Sequence, residues 1–105
     1  MAVLAIINLD GDPDTLLKMY DEMDAATGDM PTTGLISHVA ARTATGLTMT
    51  DIWESADLLQ AFMADPRFES ELQRAGFPEP RVEVYRVDRA SRTKEASSTA
   101  IGLGS

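Results

Sequence analysis

Two strand-like runs separated by one short turn occupy the middle of the chain, from Gly34 to Ser55: G-L-I-S-H-V-A-A-R-T-A-T-G-L-T-M-T-D-I-W-E-S. Ile, Val, Thr and Trp favour extended backbone, and Thr43-Ala44-Thr45-Gly46 supplies the turn, with glycine where a positive φ is useful. A hairpin of this kind dictates an antiparallel register. With Arg42 facing Leu47, Ala40 meets Met49, His38 meets Asp51 and Ile36 meets Trp53. One face then carries the only histidine, an aspartate and the only tryptophan of the chain. The other carries Leu35, Ser37, Val39 and Ala41 against Thr48, Thr50 and Ile52, which are apolar or small enough to lie under helices.

Each side of this hairpin adds one strand and one helical stretch. Ala2 to Leu9 is a nearly continuous apolar run, the pattern of a strand covered on both faces. Asp10-Gly-Asp-Pro-Asp14 follows, and it combines a turn with a helix start. Asp12 suits the N-cap, Pro13 the first helical position and Asp14 the positive end of the dipole. Leu16, Met19, Tyr20 and Met23 recur at helical spacing up to a stop near Gly28. After the hairpin, Ser55 caps a second helix with Leu58, Leu59, Phe62 and Met63 on one side, and Asp65-Pro66 breaks and restarts it with Phe68, Leu72 and Ala75. Phe77-Pro-Glu-Pro80 is an extended connector. Arg81 to Asp88 then alternates strictly, with Val82 and Val84 on one face and Tyr85 and Val87 on the other.

The order β-α-β-β-α-β describes an α+β, ferredoxin-like domain: a four-stranded antiparallel sheet with its helices on one face, spanning residues 1–89. From 90 to 105 the composition shifts to Ser, Thr, Ala and Gly, as expected of a flexible C-terminal tail. A chain of 105 residues buries only about two-thirds of its unfolded surface, so oligomerisation would help it. The sheet face opposite the helices is expected to bear His38, Asp51, Met49 and Trp53. It is too apolar for water, and a second copy of the same sheet is the simplest cover.

Composition narrows the partners. With a net charge of −8 and 9 Lys and Arg, the chain lacks the clustered cations that a phosphate backbone requires, so nucleic acid is not an expected partner. No cysteine is present, which removes disulfides, thiolate metal sites and cysteine nucleophiles and fits a reducing cytoplasm. The apolar N-terminal run has no preceding positive charge and is followed at once by Asp10, Asp12 and Asp14, so it reads as a strand and not as a signal peptide. No stretch approaches membrane-spanning length. One histidine and one facing aspartate provide at most two metal ligands per chain, and there is no glycine-rich phosphate loop or nucleophile elbow. Neither a metal nor a cofactor is expected.

The element order, the length and above all Asp51-Ile-Trp-Glu-Ser55 leading into a helix with Phe62 resemble the dimeric α+β-barrel superfamily, in particular its antibiotic-biosynthesis-monooxygenase-like group. The resemblance covers roughly residues 2 to 88. It implies the barrel fold, a homodimer and a type of pocket, and it does not fix a substrate. Members of the superfamily include cofactor-free oxygenases of polyketide-like phenols, haem-degrading oxygenases, isomerases and cyclases.

The residues themselves suggest acid–base work. His38 beside Asp51 is a base with an orienting carboxylate, suited to taking a proton from a substrate. Trp53, Met49, Ile36 and Phe62 offer a flat apolar surface for an aromatic or polyene substrate, and Arg42, at the strand end, can meet an anionic oxygen. Joined to what the resemblance implies, the expected function is a small cofactor-independent enzyme that cyclises, isomerises or oxygenates a hydrophobic polyketide-like or aromatic natural-product intermediate. Two alternatives remain open on the residues alone. In a haem-binding or haem-degrading protein His38 would be the axial ligand, although the haem degraders it resembles carry that histidine on a helix. In a non-catalytic ligand-binding or dimerisation module, His38 and Asp51 would simply satisfy each other. Tyr20, Tyr85 and Asn8 are further polar candidates whose side of the sheet the sequence leaves open.

Overall fold

The computed structural model describes residues 1–91, so the expected tail falls outside the described residues from position 92 onward. The strands and helices follow in the order β1 (Val3–Asp10), α1 (Pro13–Thr27), β2 (Leu35–Arg42), β3 (Gly46–Trp53), α2 (Ala56–Met63), α3 (Pro66–Ala75) and β4 (Arg81–Arg86). The four strands form one sheet in the order β2-β3-β1-β4, and every neighbouring pair is antiparallel. This is the α+β, ferredoxin-like arrangement expected from the order of the elements.

Local chemistry sets the helix ends. The Asp12 carboxylate accepts hydrogen bonds from the Thr15 amide at 3.0 Å and the Thr15 hydroxyl at 2.8 Å, and Pro13 opens α1 behind it. Ser55 accepts from the Leu58 amide at 3.2 Å to start α2. Asp65 accepts from the Arg67 amide at 2.9 Å, with Pro66 opening α3, so the break between the two helices carries the same signature as the start of α1. Gly76 ends α3 in the left-handed region, φ 75°, where its amide reaches the Leu72 and Gln73 carbonyls. Gly46 serves a different end from the one expected. It has no positive φ, but a Cβ there would lie 1.8 Å from the Leu9 carbonyl oxygen, so glycine lets β3 close against β1.

The core lies between the helices and one sheet face, in two clusters. Val3, Ala5, Trp53 and Leu59 form one, with Leu35, Leu58 and Phe62 against it. Leu9, Leu16 and Leu47 form the other, flanked by Leu17, Met19, Tyr20, Met49 and Phe77. The helices therefore cover the face that bears Trp53, Met49, Asp51 and His38, which reverses the expectation that this face is bare. The helix-free face instead presents Leu4, Ile6, Ile52, Thr50, Val39 and Tyr85 in adjacent register positions. Val39 is 57% and Tyr85 51% exposed. The expectation fails because β1 is apolar on both faces, so its pattern is compatible with either set meeting the helices.

Candidate active site

Asp51 lies in the middle of β3 and is the one buried charged residue among those described. A buried carboxylate needs a donor, and the register supplies it from the neighbouring strand: His38 pairs directly with Asp51 across β2 and β3. His38 Nδ1 hydrogen-bonds Asp51 Oδ1. The carboxylate only accepts, so in the neutral ring the Nδ1 nitrogen carries the proton and Nε2 presents its lone pair. That lone pair faces the Tyr20 hydroxyl, which lies 2.6 Å away and donates to it. The two rings are 6° from parallel with centroids 5.8 Å apart. Tyr20 reaches this position because it belongs to the α1 stripe whose Leu16 and Met23 are buried against the sheet. Burial, and after it the negative charges of Asp24, Asp51 and Asp21, hold its hydroxyl above the usual tyrosine range. The tyrosine thus stays a donor at neutral pH.

The Tyr20–His38–Asp51 chain lines a cavity of about 510 Å³ between the sheet and the three helices. Its walls are mainly apolar. Trp53, Phe62 and Phe68 form an aromatic row, with centroid separations of 5.4 and 4.6 Å, and Met23, Met30, Met49 and Met63 fill the space around it. Methionine side chains adapt to irregular shapes, whereas the aromatic row offers a flat surface. Asp51 is deep, its side chain 12% exposed, while that of His38, on the edge strand β2, is 33% exposed. The pair is thus one buried acid beside a part-exposed histidine. The Trp53 Nε1 donor is buried without a hydrogen-bond partner. Among the described residues no three His, Cys, Asp or Glu side chains come together as a set of metal ligands.

No protein-family model and no curated protein sequence matches the chain. Solved structures do. The chain is similar to SnoaB, a cofactor-independent oxygenase from Streptomyces nogalater, at 13% identity and a TM-score of 0.62 over 85% of this chain and 93% of that one. It is also similar to a protein from Deinococcus radiodurans described as a candidate antibiotic biosynthesis monooxygenase, at 12% identity and TM-score 0.63 over 89% and 98% of the two chains. A dimeric ferredoxin-like protein of unknown function from Thermobifida fusca matches at 9% identity and TM-score 0.60 over 83% and 92%. The chain has the fold of the dimeric α+β-barrel, antibiotic-biosynthesis-monooxygenase-like proteins. At these identities the fold is what is shared, and the resemblance drawn from Asp51 to Ser55 stands at that level.

The structure brings most of the candidate residues together. His38, Asp51, Met49, Trp53 and Phe62 all line the cavity. Ile36 and Arg42 are not among its lining residues. A β-bulge between Leu35 and Ser37 pairs Leu35, and not Ile36, with Trp53, which corrects the register counted from the turn. Leu35 accordingly packs into the core, and Ile36 is 58% exposed. Arg42 does face Leu47 as counted, but its guanidinium is paired with Asp14 at the start of α1. Tyr20 is the partner that the sequence left unplaced. The signal was its position in the apolar α1 stripe, which marks a residue facing the sheet.

Proposed function

We propose that the protein is a small enzyme of acid–base chemistry that works on a hydrophobic, aromatic or polyketide-like molecule held between the sheet and the helices. The observation that carries this reading is the Tyr20–His38–Asp51 chain of hydrogen bonds set into the wall of a 510 Å³ apolar cavity. In the reaction, a phenol, enol or activated C–H of the substrate gives up its proton to His38 Nε2, directly after Tyr20 rotates aside or through the Tyr20 hydroxyl. Asp51 holds the ring in the correct tautomer and stabilises the imidazolium that forms. The substrate is left as a phenolate, enolate or carbanion, poised to cyclise, to be reprotonated elsewhere or to react with dioxygen. The Trp53, Phe62 and Phe68 rings orient a flat substrate and keep water from the anion. Cofactor independence is part of the proposal, and so is a cytoplasmic location. Haem ligation through His38 is less well supported, because Nδ1 and Nε2 are both engaged and Tyr20 would have to leave.

We also propose a homodimer formed through the helix-free sheet face, where Leu4, Ile6, Ile52 and Val39 would be withdrawn from water. Sedimentation velocity should then show a dimer that Ile6→Lys with Val39→Lys converts to a monomer. For the chemistry, the test is a panel of hydrophobic phenols and poly-β-ketone-derived aromatics followed by oxygen uptake and by product chromatography. Turnover should fall about 10²- to 10⁴-fold in His38→Ala, the range a positioned general base supplies, with an unchanged circular dichroism spectrum. Unchanged turnover in that variant removes His38 from the mechanism.

A further inference from the structure

The charges around the cavity are one-sided. Asp24 follows Tyr20 by one turn of α1, and Glu79 sits in the connector that leads into β4; both residues are exposed and belong to the cavity's lining, as the buried Asp51 does. Neither Asp24 nor Glu79 has a hydrogen-bond or ion-pair partner among the described residues. Among the described residues no lysine or arginine lines the cavity. The arginines between positions 42 and 86 are each tied to a carboxylate elsewhere: Arg42 to Asp14, Arg67 to Asp29, Arg74 to Glu71, Arg81 to Asp10 and Arg86 to Asp88. Tyr20 borders the same charges: burial first, and after it Asp24 and Asp51, raise its hydroxyl above the usual tyrosine range.

We infer that Asp24 and Glu79 select the ligand by charge, so that the cavity takes an aromatic molecule bearing a protonated amine and turns away a carboxylate of the same shape. The inference rests on reading the cavity as the ligand site and names the class of molecule that fits it. Two features recognise such a cation independently. The exposed Asp24 and Glu79 carboxylates attract it through a solvated medium, and the rings of Phe62 and Phe68 provide the negative quadrupole on which ammonium groups rest. An anion meets the same carboxylates as repulsion, with no lysine or arginine among the described lining residues to offset it, which is discrimination by exclusion as well as by attraction.

Three probes of one shape test the inference: 4-biphenylmethylamine, 4-biphenylmethanol and biphenyl-4-carboxylate, titrated calorimetrically and by the fluorescence of Trp53, the only tryptophan. At low salt the amine should bind about tenfold more tightly than the alcohol, and the alcohol about tenfold more tightly than the carboxylate, with both gaps narrowing as salt rises. In Asp24→Asn with Glu79→Gln, amine and carboxylate should converge on the alcohol, whose own affinity stays constant. Equal binding of amine and carboxylate by the wild type, or an undiminished gap in the double variant, overturns the charge selection and leaves the ligand site standing. Failure of the neutral alcohol to bind at all overturns the ligand site, and this inference with it.

Discussion

Trp53 gives the sharpest prediction about how the site is held. It is 1% exposed, anchors the cluster of Val3, Ala5 and Leu59, and contacts Phe62 at 5.4 Å between ring centroids. Truncation to alanine removes the largest buried side chain of the core, and such changes cost about 3–5 kcal/mol. Replacement by phenylalanine should cost far less than the lost volume suggests. Phenylalanine keeps most of the aromatic contact, and it removes a buried N–H that has no partner, a group whose desolvation costs about 1–3 kcal/mol. Set against the void left by the smaller ring, about 2 kcal/mol by comparison with other large-to-small changes, the net effect is a destabilisation of about 1 kcal/mol or less. Urea unfolding followed by far-ultraviolet circular dichroism measures both variants, since the tryptophan signal is lost in each. A cost for Trp53→Phe that approaches the cost for Trp53→Ala would refute the reasoning, because it would mean that Nε1–H makes a hydrogen bond worth keeping.

Other consequences are simpler to state. Hydrogen bonds from Thr15 and from Arg67 hold the Asp12 and Asp29 carboxyls below their ordinary 3.8. Their contribution to stability is therefore complete above that pH and is lost as pH falls through the folded-state values. Melting temperatures taken from pH 5 down to 2 should decline less steeply in Asp12→Asn than in the wild type, and equal slopes would exclude the cap from the acid limb. At the other end of the scale both tyrosines are held above 10.0, Tyr20 by burial and its neighbouring acids and Tyr85 by its hydrogen bond to Glu83. The unfolded chain ionises first, so stability should drop as pH rises through 10, and the ultraviolet titration of tyrosinate should shift down toward 10 in concentrated urea; coincident native and denatured titrations would contradict this. Gly46→Ala should cost about 3 kcal/mol, the upper range for overpacking, because its Cβ would overlap the Leu9 carbonyl. A thermal melt within 2 °C of wild type would show that β3 can move away from β1.

How far the sequence carried these conclusions differs from one residue to the next. The pairing of His38 with Asp51, Ala40 with Met49 and Arg42 with Leu47 follows from the turn by counting, because antiparallel register depends only on where the turn lies. Counting fails at Ile36, where the bulge inserts one residue and no side chain of Leu35-Ile36-Ser37 announces it. The helix caps were legible because Asp12-Pro13, Ser55 and Asp65-Pro66 act through local hydrogen bonds. The covered face was not. Leu4 and Ile6 are as apolar as Ala5 and Ile7, so alternation in β1 cannot say which side meets α1, and the answer lies in the packing of Leu16 and Leu59. Tyr20 shows a related limit. Its helical spacing marked it as core-facing, but the partner of its hydroxyl lies eighteen positions away on another element, a relation that depends on the placement of α1 across the sheet.

The central claim is that Asp51 holds His38 as a base in the Nδ1–H tautomer, with its Nε2 lone pair joined to the Tyr20 hydroxyl in the cavity wall. Since the chain has one histidine, nitrogen-15 NMR of the side chain tests it without ambiguity of assignment. The account predicts the Nδ1–H tautomer in the neutral ring, with the Nδ1 proton displaced downfield by its bond to Asp51 and that displacement lost in Asp51→Asn. A neutral ring protonated at Nε2, or an Nδ1 proton indifferent to the loss of the Asp51 carboxylate, would contradict it.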